Sequence, residues 1–130
     1  IGYGVMPVEI ADVLNRIRLP FNTNSLAQAA AGAALEDKIF LEKVMSLVHE
    51  GLDYLYDALD TLGVTYFSTQ TNFFLIDVRK DADEIYEDML RQFVINRFIK
   101  SYFYSNYIRI NVGLHEENVT FIKALEKCLK

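Results

Sequence analysis

Residues 107–112 alternate strictly, with Tyr107, Arg109 and Asn111 between Ile108, Ile110 and Val112. A period of two belongs to a strand with one covered and one open face. A chain carrying such a strand must build a sheet and cover one side of it. The open side then holds an arginine between a tyrosine and an asparagine. Arginine is a planar fork of donors that meets a carboxylate or phosphate with two bonds at once, and a strand is a stiffer mount than a loop. The bland alternative for Arg109 is a solvated sheet face.

The cover comes from helices. Phe40, Val44, Leu47, Val48, Leu55, Leu59 and Leu62 recur at three- and four-residue steps, so Asp37–Leu62 reads as one long helix with an apolar stripe. Gly63 ends it as a left-handed cap. Val64–Phe67 is a short strand. Asn72–Val78 is apolar on both sides, as in a central strand covered on both faces. Asp81 and Glu84 have capping-box spacing and open a helix to about Gln92. Val94–Arg97 is a further strand, and residues 98–106 are a tyrosine-rich connection. Glu116 and Glu117 occupy the first turn of the last helix, where its dipole favours them. Val119, Ile122, Leu125 and Leu129 mark its buried face. Upstream, residues 1–6 read as a short strand and Pro7 opens a helix to about Ile17. Pro20 breaks the chain, and Ser25–Leu35 is alanine-rich and helical. So many small side chains imply close approach of another backbone. The fold class is α+β: a small, mostly antiparallel sheet of three or four strands with helices packed on it, plus long N-terminal helices. Strand 107–112 is expected between 71–78 and 94–97, antiparallel to both. At 130 residues the chain reads as a single domain, 1–130.

Composition narrows the function classes. Thirteen basic against eighteen acidic residues give a net charge of −5, which argues against a nucleic-acid partner despite Tyr102, Tyr104 and Tyr107 near Arg97 and Lys100. No apolar run approaches a membrane span, so no membrane partner is expected. The first residues lack the pattern of a signal peptide. A lone cysteine, Cys128, excludes an internal disulfide and fits a cytoplasmic origin. His49, His115 and Cys128 have no metal-ligand spacing, so no metal is expected. Ser101 or Ser105 with His115 lacks the elbow glycines of a nucleophile. Asp53, Asp57 and Asp60 follow helical spacing as a solvated face.

Five words then occur in a fixed order: Ile1-Gly2-Tyr3-Gly4; Arg18-Leu19-Pro20-Phe21-Asn22; Asn24-Ser25-Leu26-Ala27-Gln28-Ala29-Ala30; Gln70-Thr71-Asn72-Phe73-Phe74; and Tyr107-Ile108-Arg109-Ile110-Asn111-Val112-Gly113 with Glu116-Glu117-Asn118. In this order they resemble the C-terminal, small domain of fold-type-I, pyridoxal-phosphate-dependent aminotransferases, most closely the histidinol-phosphate aminotransferases. The resemblance covers essentially the whole chain. It implies that Arg109 anchors a substrate carboxylate or phosphate, that Arg97 assists, and that Asn22 and Asn72 border the site. Such enzymes carry pyridoxal phosphate on a lysine that also moves protons at the substrate carbon. The resemblance places that lysine shortly before the position of Ile1, so no catalytic lysine and no cofactor are expected in this chain. Residues 1–6 would be a remnant strand of a missing large domain. The implied reading is a catalytically incompetent scaffold.

The chain departs from the family pattern at Phe93-Val94-Ile95-Asn96-Arg97-Phe98. The family has a helix-ending glycine, expected with positive φ, where Phe93 stands. A phenylalanine there implies a changed backbone or a helix that runs on. Phe98 and Phe103 replace a small polar residue and a glycine. These departures read as deliberate change, an engineered domain, rather than drift. Three added aromatics fill an exposed face, wall a pocket for a small ligand, or pair two copies, a symmetric homodimer being the commonest closed result.

Overall fold

The computed structural model describes residues 1–95, 97–98 and 105–130. Four strands form one antiparallel sheet: β1 (Thr65–Phe67), β2 (Phe73–Asp77), β3 (Arg97–Phe98) and β4 (Tyr107–Asn111), in the order β1-β2-β4-β3. Strand β4 lies between β2 and β3 and runs antiparallel to both, as the alternation and chain order predict. Its register sets Phe73 opposite Asn111, Leu75 opposite Arg109 and Asp77 opposite Tyr107. On the other side Arg97 pairs with Arg109. The candidate strand over 94–97 thus begins later, at Arg97.

Five helices accompany the sheet among the described residues: α1 (Val8–Ile17), α2 (Ser25–Glu36), α3 (Lys38–Leu62), α4 (Ala82–Leu90) and α5 (His115–Leu129). Contacts divide the chain into two compact units, Ile1–Glu42 and Lys43–Lys130.

All of the core lies in the second unit. Leu52, Leu55 and Leu59 of α3, Phe74 and Ile76 of β2, and Ile108 and Ile110 of β4 close on one another. Ile85 and Met89 of α4 and Phe121, Ala124, Leu125 and Cys128 of α5 complete the cluster. Phe74, Tyr56 and Tyr66 add an aromatic group, with Tyr56 and Tyr66 stacked at 4.5 Å. The stripe predicted on α3 is buried only in its second half, while Phe40 and Val44 are exposed. Lengths explain this. The helix has 25 residues and runs about 38 Å, whereas five residues of strand extend about 17 Å. On α5 the buried line is Asn118, Phe121, Leu125 and Cys128, with the predicted Val119, Ile122 and Leu129 on its half-buried flank.

Close approaches and caps fix the elements. Gly51 sits in the middle of α3, where an added Cβ would stand 2.4 Å from Val112 Cγ1 and 3.0 Å from Asn118 Nδ2. The missing side chain is what lets α3 touch the end of β4 and the start of α5. Gly63 (φ 67°) closes α3, with Val64 N donating to Leu59 O at 3.0 Å and Gly63 N to Asp60 O at 3.1 Å, the two bonds of a Schellman cap. Asp81 caps α4 by accepting from Asp83 N at 2.8 Å. That helix stops at Leu90, two residues before the expected Gln92.

At the end of α4 the structure corrects an expectation. Phe93 N donates to Leu90 O at 2.9 Å and Val94 N to Met89 O at 3.0 Å, and Phe93 has φ 61°. This is again a Schellman cap, with phenylalanine in the glycine position. The backbone neither changed nor continued as helix. Two hydrogen bonds and the half-buried Val94 hold the left-handed conformation against the steric cost of a Cβ.

In the first unit, Asn24 caps α2 by accepting from Ala27 N at 2.7 Å. Neither α1 nor α2 buries a residue, so the close approach implied by the alanines of α2 is not made among the described residues. Residues 1–6 form no strand, because a strand needs a hydrogen-bonding neighbour and no described strand pairs with them.

Candidate functional site

Arg109 sits at the middle of β4, on the sheet face opposite the core. Its neighbours on that face follow from alternation and register: Tyr107 and Asn111 in β4, and Phe73, Leu75 and Asp77 in β2. The face is only partly covered, with Phe67 and Phe73 exposed and Leu75, Tyr107 and Arg109 half-buried. The double cover expected for β2 is therefore absent on this side among the described residues. Phe67 and Tyr107 stand 5.8 Å apart, centre to centre. Arg109 Cζ lies 4.9 Å from the centre of the Phe73 ring.

The electrostatic state of Arg109 is unusual. Its Nε is buried and has no hydrogen-bond partner among the described residues. The nearby Asp77 is committed elsewhere, its Oδ1 accepting from Arg79 N at 2.9 Å and from Asn106 Nδ2 at 2.6 Å. A buried donor without an acceptor costs about 1–3 kcal/mol. The site thus holds a strand-mounted guanidinium with one buried donor left over among the described residues.

Beside it is a cleft of about 910 Å³ between β4, the segment after α4 and the start of α5. Phe93, Ile95, Arg109, Asn111, Glu116 and Phe121 are among its walls. The floor at Gly113 is fixed by Asn118, which is 2% exposed. Asn118 Oδ1 accepts from Gly113 N at 3.0 Å, and its Nδ2 donates to Gly113 O at 3.1 Å. Glu117 Oε2 accepts from Leu114 N at 2.7 Å. Sequence reasoning gave Asn118 no role of its own, because an asparagine in the first turns of a helix does not show that it is buried.

Of the residues singled out from sequence, Arg109 and Asn72 both belong to the second unit, and no contact between them is found among the described residues. Asn72 is exposed, immediately before Phe73, and its carbonyl accepts from Val112 N at 2.9 Å. Arg97 is the register partner of Arg109; its side chain lies outside the described residues. Asn22 is exposed and belongs to the first unit. Phe93 is 96% exposed. The Phe98 side chain, Phe103 and Lys100 lie outside the described residues. His49, Asp53, Asp57 and Asp60 are exposed, as their spacing predicts. Among the described residues no group of three or more His, Cys, Asp and Glu could hold a metal ion, and no helix is long and apolar enough to cross a membrane.

Residues 1–125 match the model of the family described as aminotransferase class I and II. The chain belongs to this aminotransferase family. It is 46% identical over 130 residues to the histidinol-phosphate aminotransferase of Desulfotalea psychrophila, covering all of this chain and 34% of that one. It is 41% identical over 129 residues to that of Moorella thermoacetica, covering 99% of this chain and 33% of that one. The chain therefore spans about a third of the length of the curated relatives it matches. The histidinol-phosphate aminotransferase of Clostridium acetobutylicum superposes with a TM-score of 0.83 at 21% identity, over 93% of this chain and 38% of that one. At that identity the likeness shows the aminotransferase fold, and the α+β class with it.

The cofactor of such enzymes, pyridoxal phosphate, is a poor fit to the residues described. The cleft beside Arg109 has no lysine among its lining residues to carry it.

Proposed function

We propose that this chain is the substrate-anchoring part of a pyridoxal-phosphate-dependent aminotransferase acting on histidinol phosphate and 2-oxoglutarate. Arg109 grips the substrate carboxylate or phosphate, with Arg97 and Asn72 bordering the site. Taken alone, the chain is a structural scaffold without transaminase activity. The observation that supports this best is the buried, unpartnered Nε of Arg109 in the middle of a strand paired on both sides. A side chain that leaves one donor unsatisfied gains more than an ordinary one when it turns to meet a charged acceptor. The names of the relatives supply histidinol phosphate, and 2-oxoglutarate is what the family resemblance implies.

Two measurements test the reading. Succinate or inorganic phosphate should shift the Arg109 side-chain NMR signals saturably, and Arg109→Met should abolish the response. An unresponsive Arg109 rejects the anchoring role. Pyridoxal phosphate followed by borohydride reduction and peptide mass analysis should trap no single lysine. A saturable absorbance band trapped on one lysine, Lys100 above all, overturns the claim of incompetence.

A second reading has one observation in its favour. Phe93 exposes nearly its whole ring, which suits self-association through Phe93, Phe98 and Phe103. Sedimentation should then give a concentration-dependent mass that Phe93→Ser reduces, and an unchanged mass removes this reading.

A further inference from the structure

The geometry points to Phe73 as the positioning residue of the Arg109 anion site, its ring fixing the guanidinium carbon so that the in-plane donors are held in one orientation for a forked oxyanion; this rests on the anchoring reading above. Phe73 pairs with Asn111 and Leu75 with Arg109, so Phe73 and Arg109 are diagonal neighbours across the ladder. That separation is within reach of an aromatic side chain. The 4.9 Å from Cζ to the ring centre places the cation over the negative face of the ring, where the quadrupole attracts it.

Guanidinium groups are ordinarily oriented by a carboxylate fork. No ion pair to Arg109 is found among the described residues, and the candidate acid on this face, Asp77, already accepts from Arg79 and Asn106. The Phe73 backbone is held at the entry to β2 by the Thr71 hydroxyl, which donates to Phe73 O at 3.0 Å. The guanidinium donors lie along the edges of its plane, matching the forked oxygens of a carboxylate or phosphate better than a spherical halide.

The test uses the full chain with labelled arginine, titrated with inorganic phosphate and then acetate against chloride at constant ionic strength. In the wild type the Arg109 Nε–Hε signal should sit upfield through the ring current, move saturably with phosphate and acetate, and ignore chloride. Phe73→Tyr should preserve all of this. Phe73→Leu should lose the upfield shift, bind phosphate about threefold more weakly, and discriminate less against chloride. If Phe73→Leu disturbs the β2–β4 amide signals, Phe73→Met serves the same comparison. A wild type unresponsive to both oxyanions overturns the anchoring reading and this inference together. A responsive wild type with an equally tight, equally selective Phe73→Leu variant overturns the role of Phe73 alone and leaves the anchor standing.

Discussion

Single residues carry two unusual commitments in this chain. Phe93 holds a conformation that favours glycine, with its ring in solvent, so its side chain gives little back for the backbone cost. Phe93→Gly should raise stability by about 1 kcal/mol, the left-handed penalty less the added entropy of a glycine. Urea denaturation measures this, and an unchanged midpoint would mean that the ring contributes through contacts. Asn118 is the opposite case. It is buried, and both ends of its amide are spent on one residue, Gly113. Asn118→Ala should cost about 2–3 kcal/mol by unpairing the Gly113 N–H and carbonyl. A loss under 1 kcal/mol would show that water replaces the amide. Neither residue announces its state in the sequence. A phenylalanine after a helix reads as ordinary, and Asn118 becomes structural only because Gly51 lets α3 approach it.

Among the elements, β1 is the shortest paired edge on its side of the sheet, and side chains tie it to α3. Tyr66 stacks on Tyr56 and donates to Asp60 Oδ2 at 3.3 Å, while the Tyr56 hydroxyl accepts from Thr69 N at 3.0 Å. Desolvation first, then the Asp60 carboxylate, raises the Tyr66 pKa above its ordinary 10.0. The folded chain therefore holds this proton more tightly than the unfolded one. The contribution is complete below pH 10 and is lost as pH rises from there through the folded value. Stability above pH 10 should fall less steeply in Tyr66→Phe than in the wild type, and parallel slopes would remove Tyr66 from the alkaline response. The elements themselves were largely legible. The long α3 with its Gly63 cap, the strands at 65–67 and 73–77, and the central place of β4 follow from periodicity and turn residues. The short β3 was displaced by a few positions, because four residues of mixed character do not fix a register.

Across the whole chain, burial is divided unevenly. Each buried residue described falls in the Lys43–Lys130 unit and none in Ile1–Glu42, although Val5, Phe21 and Leu26 are large and apolar. Amide exchange should therefore be slow in the second half of α3, in β2 and β4, and in α5, and fast throughout α1 and α2. Local stability follows buried apolar contact. Strong protection in α1 or α2 would show that their apolar faces find cover in solution, as a second copy of the chain would provide. The single domain read from length takes no account of this division, since length bounds the size of a core and not which residues join it.

The sequence by itself determined the α+β class, the helix and strand order, Arg109 on the open face of a strand, and membership of an aminotransferase lineage. All but the lineage are periodic or local properties, written in side-chain spacing and in residues that start and stop elements; the lineage rests on the resemblance carried by the five ordered words. Tertiary structure alone decided that the Nε of Arg109 has no acceptor among the described residues, that the Phe73 ring meets its guanidinium carbon, that Asn118 brackets Gly113, and that half of the α3 stripe stays in solvent. Each of these depends on which residues from distant parts of the chain meet. Spacing along one segment does not encode the distance to another.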